Sequence, residues 1–346
     1  MKKQDNTEYE ALKTALKENL IDTLYVFHGE ERYLLEHYLA EIRHALVDDG
    51  FSQFNHKRID ARSFSVGELS AAVDALPVFA ERTLVEVHDV DIFKLPEDRR
   101  NEVLSLLSDL PEYVCVLLVY DTVEFKIDGR LKAAAQFKKD AHIVEFKLQS
   151  QSQLTKWINR HFKTMGKSIN SQDAEYLAFI TGGLMTSLKT EIEKLSSYVQ
   201  GIDVTRKDID AVVTPVPDAV SYKLTDAIIT GKSDEAMALL YDLFRMREPA
   251  HKLIFGLSLK LRQLLCAKIY IENGVSLSDF METCGIRYDF QAKSLYSCAK
   301  KTTREKCRDA VLRCCRTAHR LNSGGGSPEE LMCELVLILS SQEVLS

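Results

Sequence analysis

The feature that most constrains this chain is a strand-to-helix turn near its start. An apolar segment, Leu24–Phe27, passes through a single glycine, Gly29, into a long amphipathic pattern. Nucleotide-binding enzymes carry G-x-x-x-x-G-K-[ST] at such a turn, where backbone amides and the lysine hold phosphates. Here the lysine is missing, and two adjacent carboxylates, Glu30 and Glu31, would repel a phosphate. The turn therefore predicts the frame of a nucleotide-binding domain without its chemistry.

The second half of such a site is also incomplete. It normally supplies acidic side chains after an apolar strand, where they hold magnesium. The apolar segment Val114–Val119 is present, but Tyr120, Asp121 and Thr122 follow it, with a single acid. The architecture suggests an ATPase, whereas the residues argue against one.

Residues 1–147 alternate between strand and helix patterns. Near-continuous apolar strands between helices predict a parallel sheet covered on both faces, and hence an α/β fold. A helix over Ile127–Phe137 is predicted before the last strand. The five predicted strands are Thr23–Phe27, Phe54–Asp60, Thr83–His88, Val114–Val119 and His142–Phe146.

The strand patterns stop after Phe146. Residues 148–213 predict short helices, and two closely spaced prolines, the first of them Pro215, mark a boundary. Residues 214–346 predict longer helices. The sequence thus predicts three parts: an α/β domain over 1–147, a small helical domain over 148–213 and a C-terminal all-α domain over 214–346.

Composition excludes several classes of protein. The chain has 346 residues and a net charge of −6, so the whole molecule is not a general polyanion binder. No apolar stretch is long enough to span a bilayer, and the polar start, Met1–Asn6, does not predict export. The eight cysteines show no C-x-x-C spacing, so we expect neither a zinc site nor a disulfide framework. We expect a cytoplasmic protein without a metal or another cofactor.

We expect no catalytic site either, because the nine histidines are scattered and no G-x-S-x-G occurs. One basic run stands out between Lys293 and Arg320. It could contact DNA phosphates or an acidic partner. The alternative is a solvated polar helix face, which the residues alone favour. The candidate contacts in the run are Lys300, Lys301, Arg304, Lys306 and Arg308.

The segment Ala75–Arg82 is a second candidate site. Pro77 must end or kink the preceding helix, which leaves Val78 and Phe79 in a connector before a strand. Both side chains could pack as core, the commoner fate of phenylalanine, or form an apolar wedge that enters a partner's pocket. The residues alone favour the core.

Several motifs occur in a characteristic order along nearly the whole chain. They are Tyr25–Leu35, Leu76–Val87, Gly182–Leu184, Glu191–Tyr198, Leu224–Ile228 and Leu261–Leu265. With them the chain resembles the delta subunits of bacterial DNA polymerase III clamp loaders. The resemblance implies an AAA+-like fold: a RecA-like α/β domain that has lost ATP binding, a small helical lid and a helical collar that assembles the complex.

The resemblance also implies a non-catalytic subunit of a DNA polymerase holoenzyme. Such a subunit binds and opens the sliding clamp for loading onto primed DNA, while the tau/gamma ATPase subunits hydrolyse ATP in a complex that also holds delta-prime. In the family, an apolar pair after the helix before the third strand inserts into the clamp. By motif position this pair is Val78 and Phe79, with Leu76 just before them. The resemblance reverses the preference for Phe79 as core.

Three alternatives stay open. The first is the delta-prime subunit of the same machine, which usually carries a Ser-Arg-Cys motif and a zinc-binding cysteine cluster that this sequence does not have. The second is an active AAA+ ATPase with an atypical phosphate-binding turn. The third is a helical DNA-binding adaptor that acts through the basic run Lys293–Arg320.

Overall fold

The chain folds into two units, Met1–Gln149 and Ser150–Ser346. The computed structural model describes residues 7–127, 132–286 and 288–341. The first unit ends within a few residues of the predicted α/β domain. The predicted separation of 148–213 from 214–346 falls inside the second unit and stays a prediction.

A parallel five-stranded sheet lies at the centre of the first unit, in the order β2-β3-β4-β1-β5. Its central strand β4 is buried along its whole length, as expected of an apolar strand with helices on both faces. The α/β fold predicted from the sequence is thereby confirmed. The strands are β1 (Leu24–His28), β2 (His56–Asp60), β3 (Thr83–His88), β4 (Val114–Tyr120) and β5 (His142–Glu145).

Helices cover the sheet because alternate strand residues point to opposite faces. In β3, Val85 joins a core that includes Leu69 and Val103, whereas Glu86 faces the other side and binds Arg43. The helices of this unit are α1 (Thr7–Glu18), α2 (Arg32–Leu46), α3 (Ser52–Asn55), α4 (Val66–Asp74), α5 (Glu97–Leu107) and α6 (Lys132–Asp140).

Two predicted boundaries in this unit are wrong. The strand predicted from Phe54 begins at His56, because Phe54 and Asn55 belong to the short helix α3. The helix predicted from Ile127 begins at Lys132 in the part of the chain that the structure describes, and Ile127 itself is not helical. The predicted positions 128–131 lie outside the described residues.

The second unit is mainly helical. Its helices are α7 (Gln151–Thr164), α8 (Ser171–Ile180), α9 (Met185–Tyr198), α10 (Arg206–Val212), α11 (Pro217–Ile229), α12 (Ser233–Arg245), α13 (Ala250–Glu272), α14 (Leu277–Cys284), α15 (Asp289–Ala299), α16 (Arg304–Asn322) and α17 (Pro328–Ser340). The expectation that strands stop after Phe146 is wrong, because β6 (Ser168–Ile169) pairs in parallel with β7 (Asp203–Val204). Strands of two residues are too short to produce an alternating pattern in the sequence.

Helix α13 runs through the core of the second unit, where Leu257, Leu261 and Leu264 are fully buried. It packs against α11, α14, α15, α16 and α17. In the ranges that the structure describes, no helix combines the length and the apolar character needed to cross a membrane.

An aromatic cluster joins α8 to later helices of the same unit. Phe179 of α8 contacts Tyr222 of α11 and also Tyr288 and Phe290 at the start of α15. The ring centroids lie 5.1–5.4 Å from that of Phe179. Edge-to-face contacts of this kind add to the stability that burial provides. The cluster therefore ties residues on both sides of the predicted boundary at 213.

Candidate functional site

The connection between α4 and β3, called here the α4–β3 loop (residues 75–82), exposes apolar side chains. Leu76 is 70% exposed, Val78 37% and Phe79 85%. The interpretation of Val78 and Phe79 as core, which the residues alone favoured, is therefore wrong. Neighbouring exposed apolar side chains on one loop are typical of a surface that binds a partner.

Phe79 has an unusual backbone conformation. Its φ is +52°, in the left-handed region that bulky residues rarely adopt. Such a conformation costs on the order of 1–3 kcal/mol and persists only where the surroundings fix it. Neighbouring groups must therefore hold this loop in place.

One of these groups is Asn55, the last residue of α3, which is fully buried. Its Nδ2 donates to the Val78 carbonyl oxygen, and its Oδ1 accepts from the Val78 N–H, both at 2.8 Å. The ring of Phe51 lies beside that of Phe79, with centroids 5.2 Å apart. Asn55 thus holds the main chain of the loop, and Phe51 contacts its exposed aromatic ring.

Arg82 holds the other end of the loop. Its guanidinium donates to the main-chain carbonyls of Ile21, Asp22 and Val114, the last two at 3.1 Å. These carbonyls belong to the segment before β1 and to the first residue of β4. The end of the α4–β3 loop is therefore fixed to the edge of the sheet where the strands begin.

A charged cluster around the buried Glu86 includes His56, the residue that follows Asn55. Glu86 of β3 is fully buried and binds Arg43, with Nη2–Oε2 at 2.6 Å, and the Nε2 atoms of His56 and His88, both at 2.9 Å. Burial alone would raise the pKa of Glu86. The hydrogen bonds from Arg43, His56 and His88 outweigh burial and hold the pKa of Glu86 far below its usual range. The carboxylate is therefore charged in the folded protein at neutral pH.

The strand-to-helix turn after β1 is closed by its own residues. Gly29 has a φ of +130°, and a Cβ there would lie 2.3 Å from the Phe146 carbonyl oxygen, so the position accepts only glycine. Glu31 is the N-cap of α2, and its side chain accepts from the Tyr33 N–H at 3.3 Å. In nucleotide-binding proteins the amides at this helix end face phosphate. Here a carboxylate of the chain occupies that position.

The single acid after β4 is also engaged. Asp121 forms an ion pair with Arg32, with Nε–Oδ1 at 2.9 Å, and its carbonyl oxygen accepts from the same guanidinium at 3.2 Å. Asp89 accepts from the main-chain N–H groups of Asp121 and Thr122 at 2.9 and 2.8 Å, which fixes this loop. The turn after β1 and the loop after β4 are thus joined through Arg32 and Asp121.

The structure places the basic candidates in one stretch, with Lys300 and Lys301 directly after α15 and Arg304, Lys306 and Arg308 in α16. Arg304 binds Glu272 of α13. Further along the run, Arg313 pairs with Asp309 at 2.7 Å and Arg320 with Glu334 at 2.8 Å. Part of the positive charge of the basic run is thus paired within the chain. This favours the interpretation of the run as a solvated polar helix face. A contact with DNA or an acidic partner stays a prediction.

Among the described residues, no group of three or more His, Cys, Asp or Glu side chains is arranged to hold a metal ion. Sequence reasoning missed Asn55, Phe51 and Glu86 as parts of the site. An acid inside an apolar strand, such as Glu86, was a signal that partners should exist. Asn55 gave no local signal, because its partner Val78 lies 23 residues away.

The sheet order, the turn after β1 and the helical second unit define the class as an AAA+-like protein. Two family models match the chain: "DNA polymerase III, delta subunit" over residues 25–147, and "DNA polymerase III delta subunit, C-terminal domain" over residues 218–339. The chain belongs to the family of DNA polymerase III delta subunits. Members of this family are clamp-loader subunits.

Curated relatives carry the same description. DNA polymerase III subunit delta of Bacillus subtilis is 24% identical over 331 residues, 94% of each chain. The probable DNA polymerase III subunit delta of Aquifex aeolicus is 23% identical over 318 residues, 89% of this chain and 88% of the relative. The solved structure of the Bacillus subtilis DNA clamp loader delta protein is similar with a TM-score of 0.51 at 22% identity, covering 96% of this chain and 99% of that one. The structural similarity concerns the fold.

Proposed function

We propose that this clamp-loader subunit binds and opens the sliding clamp through Leu76, Val78 and Phe79. The observation that carries the proposal is Phe79, which is 85% exposed on a loop held by Asn55 and Arg82. An exposed aromatic side chain on a fixed backbone is typical of the residues that dominate protein interfaces. A flexible loop would instead lose much of its binding energy to ordering.

Burying a phenylalanine and a valine side chain in a pocket contributes roughly 1.5–3 kcal/mol each. Opening the ring-shaped clamp needs more than tight binding, because a ligand shifts an equilibrium between two states only by its difference in affinity for them. The loop should therefore bind the opened clamp more tightly than the closed one. Its fixed backbone supports this role, since a rigid surface can favour one shape of its partner.

We also propose that the subunit neither binds nor hydrolyses ATP. The Glu31 carboxylate at the start of α2 supports this, because it lies where a bound phosphate would need N–H donors. The ion pair with Arg32 supports it as well, because it engages Asp121, the acid that could otherwise hold a metal ion. The ATPase subunits (tau/gamma) of the complex would then supply the hydrolysis. The other proposed partners are the delta-prime subunit and primed DNA. The DNA would be bound through the assembled complex.

Assembly with those partners is proposed for the predicted collar, residues 214–346, with residues 148–213 as the lid. The range matched by the C-terminal family model, 218–339, supports a separate role for this part. We further propose a cytoplasmic location, which the eight free cysteines support because reduced thiols are typical of that compartment.

The test measures the affinity of the purified full chain for its cognate sliding clamp. Phe79→Ala should weaken binding by about 2 kcal/mol or more, roughly thirtyfold. Its melting temperature should change little, because the side chain is exposed. Phe255→Ala is the matched control, since Phe255 is an exposed phenylalanine of the second unit. A large fall in melting temperature of Phe79→Ala with unchanged clamp affinity would refute the proposal.

A further inference from the structure

Asn55 acts toward the α4–β3 loop as a neighbouring strand would. Its amide offers a donor and an acceptor, as a peptide group does. Both are used on Val78, since the side chain binds the Val78 carbonyl oxygen and the Val78 N–H at 2.8 Å each. Because Asn55 is fully buried, water has little access to the Asn55 end of these bonds. The backbone of Val78 therefore has one defined position.

That position directly precedes Phe79, the one aromatic residue of the loop. Phe79, with a φ of +52°, needs its neighbours to keep it in the left-handed region. Asn55 fixes the residue before it, and Phe51 lies against its ring. One short segment, residues 51–55, thus supports both the backbone and the ring of Phe79.

The supporting segment is itself tied to the interior of the sheet. His56 follows Asn55, and its Nε2 lies 2.9 Å from Oε1 of the buried Glu86. Arg43 of α2 binds the same carboxylate. The hydrogen bonds that hold the loop therefore start from a rigid position, which a surface side chain could not provide.

We propose that Asn55 is a positioning residue for clamp binding, which keeps Phe79 in its binding conformation before the clamp arrives. The proposal rests on the proposed function of the α4–β3 loop. A loop ordered in advance loses less conformational freedom on binding, so its affinity is higher. Loss of both bonds in Asn55→Ala should weaken clamp affinity about tenfold.

The experiment is a double-mutant cycle on the full chain with the cognate sliding clamp. It compares the native chain, Asn55→Ala, Phe79→Ala and the double variant. If Asn55 acts by placing Phe79, the losses are not additive, and the double variant binds about as weakly as Phe79→Ala. Hydrogen exchange of the Val78 amide in the free subunit should accelerate in Asn55→Ala, while the amides of β3 stay protected.

Asn170→Ala is the control, because the Asn170 side chain also accepts from a main-chain N–H, that of Asp173, at 2.9 Å in the second unit. It should leave clamp affinity unchanged. If Asn55→Ala does not fold, Asn55→Asp takes its place, since the carboxylate keeps the acceptor for the Val78 N–H and loses the donor to its carbonyl.

The outcomes separate the two proposals. If Phe79→Ala leaves clamp affinity unchanged, the proposed function fails, and the role of Asn55 in clamp binding fails with it. If Phe79→Ala weakens binding while Asn55→Ala and Asn55→Asp do not, only the positioning role is overturned. Additive losses, with unchanged exchange of the Val78 amide, would also overturn it and leave Asn55 as a residue of general stability.

Discussion

Arg32 and Asp121 form an ion pair, with Nε–Oδ1 at 2.9 Å, at the strand-to-helix turn where nucleotide-binding proteins hold phosphate. Arg32 lies in the first turn of α2, and Asp121 follows β4. The pair satisfies the acid that could otherwise bind magnesium, and it places a guanidinium beside the capped helix end. Side chains of the chain itself thus occupy this place, which supports the proposal that the subunit does not bind nucleotide.

We therefore predict that the subunit shows no ATP binding by calorimetry at millimolar nucleotide with magnesium. Arg32→Ala should not create binding, because Glu31 still caps the helix where phosphate would need donors. An ATPase subunit of the same loader serves as the positive control. Micromolar binding by the native chain would contradict this prediction.

Backbone strain at Phe79 makes two substitutions unequal. Phe79→Gly and Phe79→Ala both remove the ring and its contact with Phe51. Only glycine adopts a positive φ without a steric penalty, so we expect Phe79→Gly to be more stable than Phe79→Ala by about 1 kcal/mol. Thermal unfolding of the two variants measures the difference. Equal stability, or a more stable alanine variant, would show that the left-handed conformation carries no strain.

Glu86→Gln should destabilise the first unit. The substitution keeps the size of the side chain but leaves Arg43 without its charge partner; because Arg43 is 37% exposed and water can reach it, we expect a cost of about 1–3 kcal/mol rather than that of a fully buried pair. The slowest-exchanging amides of β3 report this loss in the full chain. The control is Glu10→Gln, which breaks the exposed pair with Lys13 and should change stability by less than about 0.5 kcal/mol. A comparable small effect at Glu86 would contradict the prediction.

His142 ties α1 to the sheet in a pH-dependent way. Its Nδ1 lies 3.0 Å from Glu8 and its Nε2 2.9 Å from Asp22. Burial lowers the pKa of His142, but the hydrogen bonds with Asp22 and Glu8 outweigh it and raise this pKa above its ordinary value. The stabilisation is therefore fully present below pH ~6.5 and is lost as the pH rises through the raised pKa of the folded state.

The measurement is the difference in melting temperature between the native chain and His142→Gln at several pH values. The native chain should be the more stable at pH ~6, and the difference should shrink toward alkaline pH. A difference that grows as the pH rises would reverse the sign and refute the assignment.

A truncated chain can separate clamp binding from assembly. A cut near Val213 would remove α11 and α15, and with them Tyr222 and Phe290, which pack on Phe179. A cut after Gln149 instead keeps the first unit with its own sheet and core. We predict that residues 1–149 retain clamp binding and fail to enter the loader, as measured by pull-down and by reconstitution of the complex. Incorporation of this fragment into the loader would contradict the role assigned to the helical part.

Much of the first unit could be predicted because its inner strands β1 and β4 are almost wholly apolar. The segment Val114–Val119 can be satisfied only in the middle of a sheet that is covered on both faces, and β4 lies there. The start of β2 was predicted two residues too early, because phenylalanine, the residue type of Phe54, is common in strands. Phe54 lies instead in α3, which ends at Asn55, and the partner of Asn55, Val78, is distant in sequence.

The candidate site was harder to predict than the sheet. Phenylalanine is usually buried, and no local pattern signals a positive φ at Phe79 or the support from Phe51. Only the resemblance to a family indicated exposure. The acidic pair at Glu30 and Glu31 was readable as repulsive to phosphate, but the capping role of Glu31 required the geometry of α2.

The α4–β3 loop cannot be detached from the sheet without losing its shape. Asn55, which hydrogen-bonds to Val78, belongs to a different segment of the chain. Arg82 donates to the main-chain carbonyls of Ile21 and Val114, which also lie outside the loop. A linear peptide copied from residues 75–82 has none of these partners and would sample many conformations. A small inhibitor designed on this loop would therefore need a cyclic backbone that imposes the left-handed turn at its phenylalanine, so that ring closure supplies the rigidity that the sheet gives here.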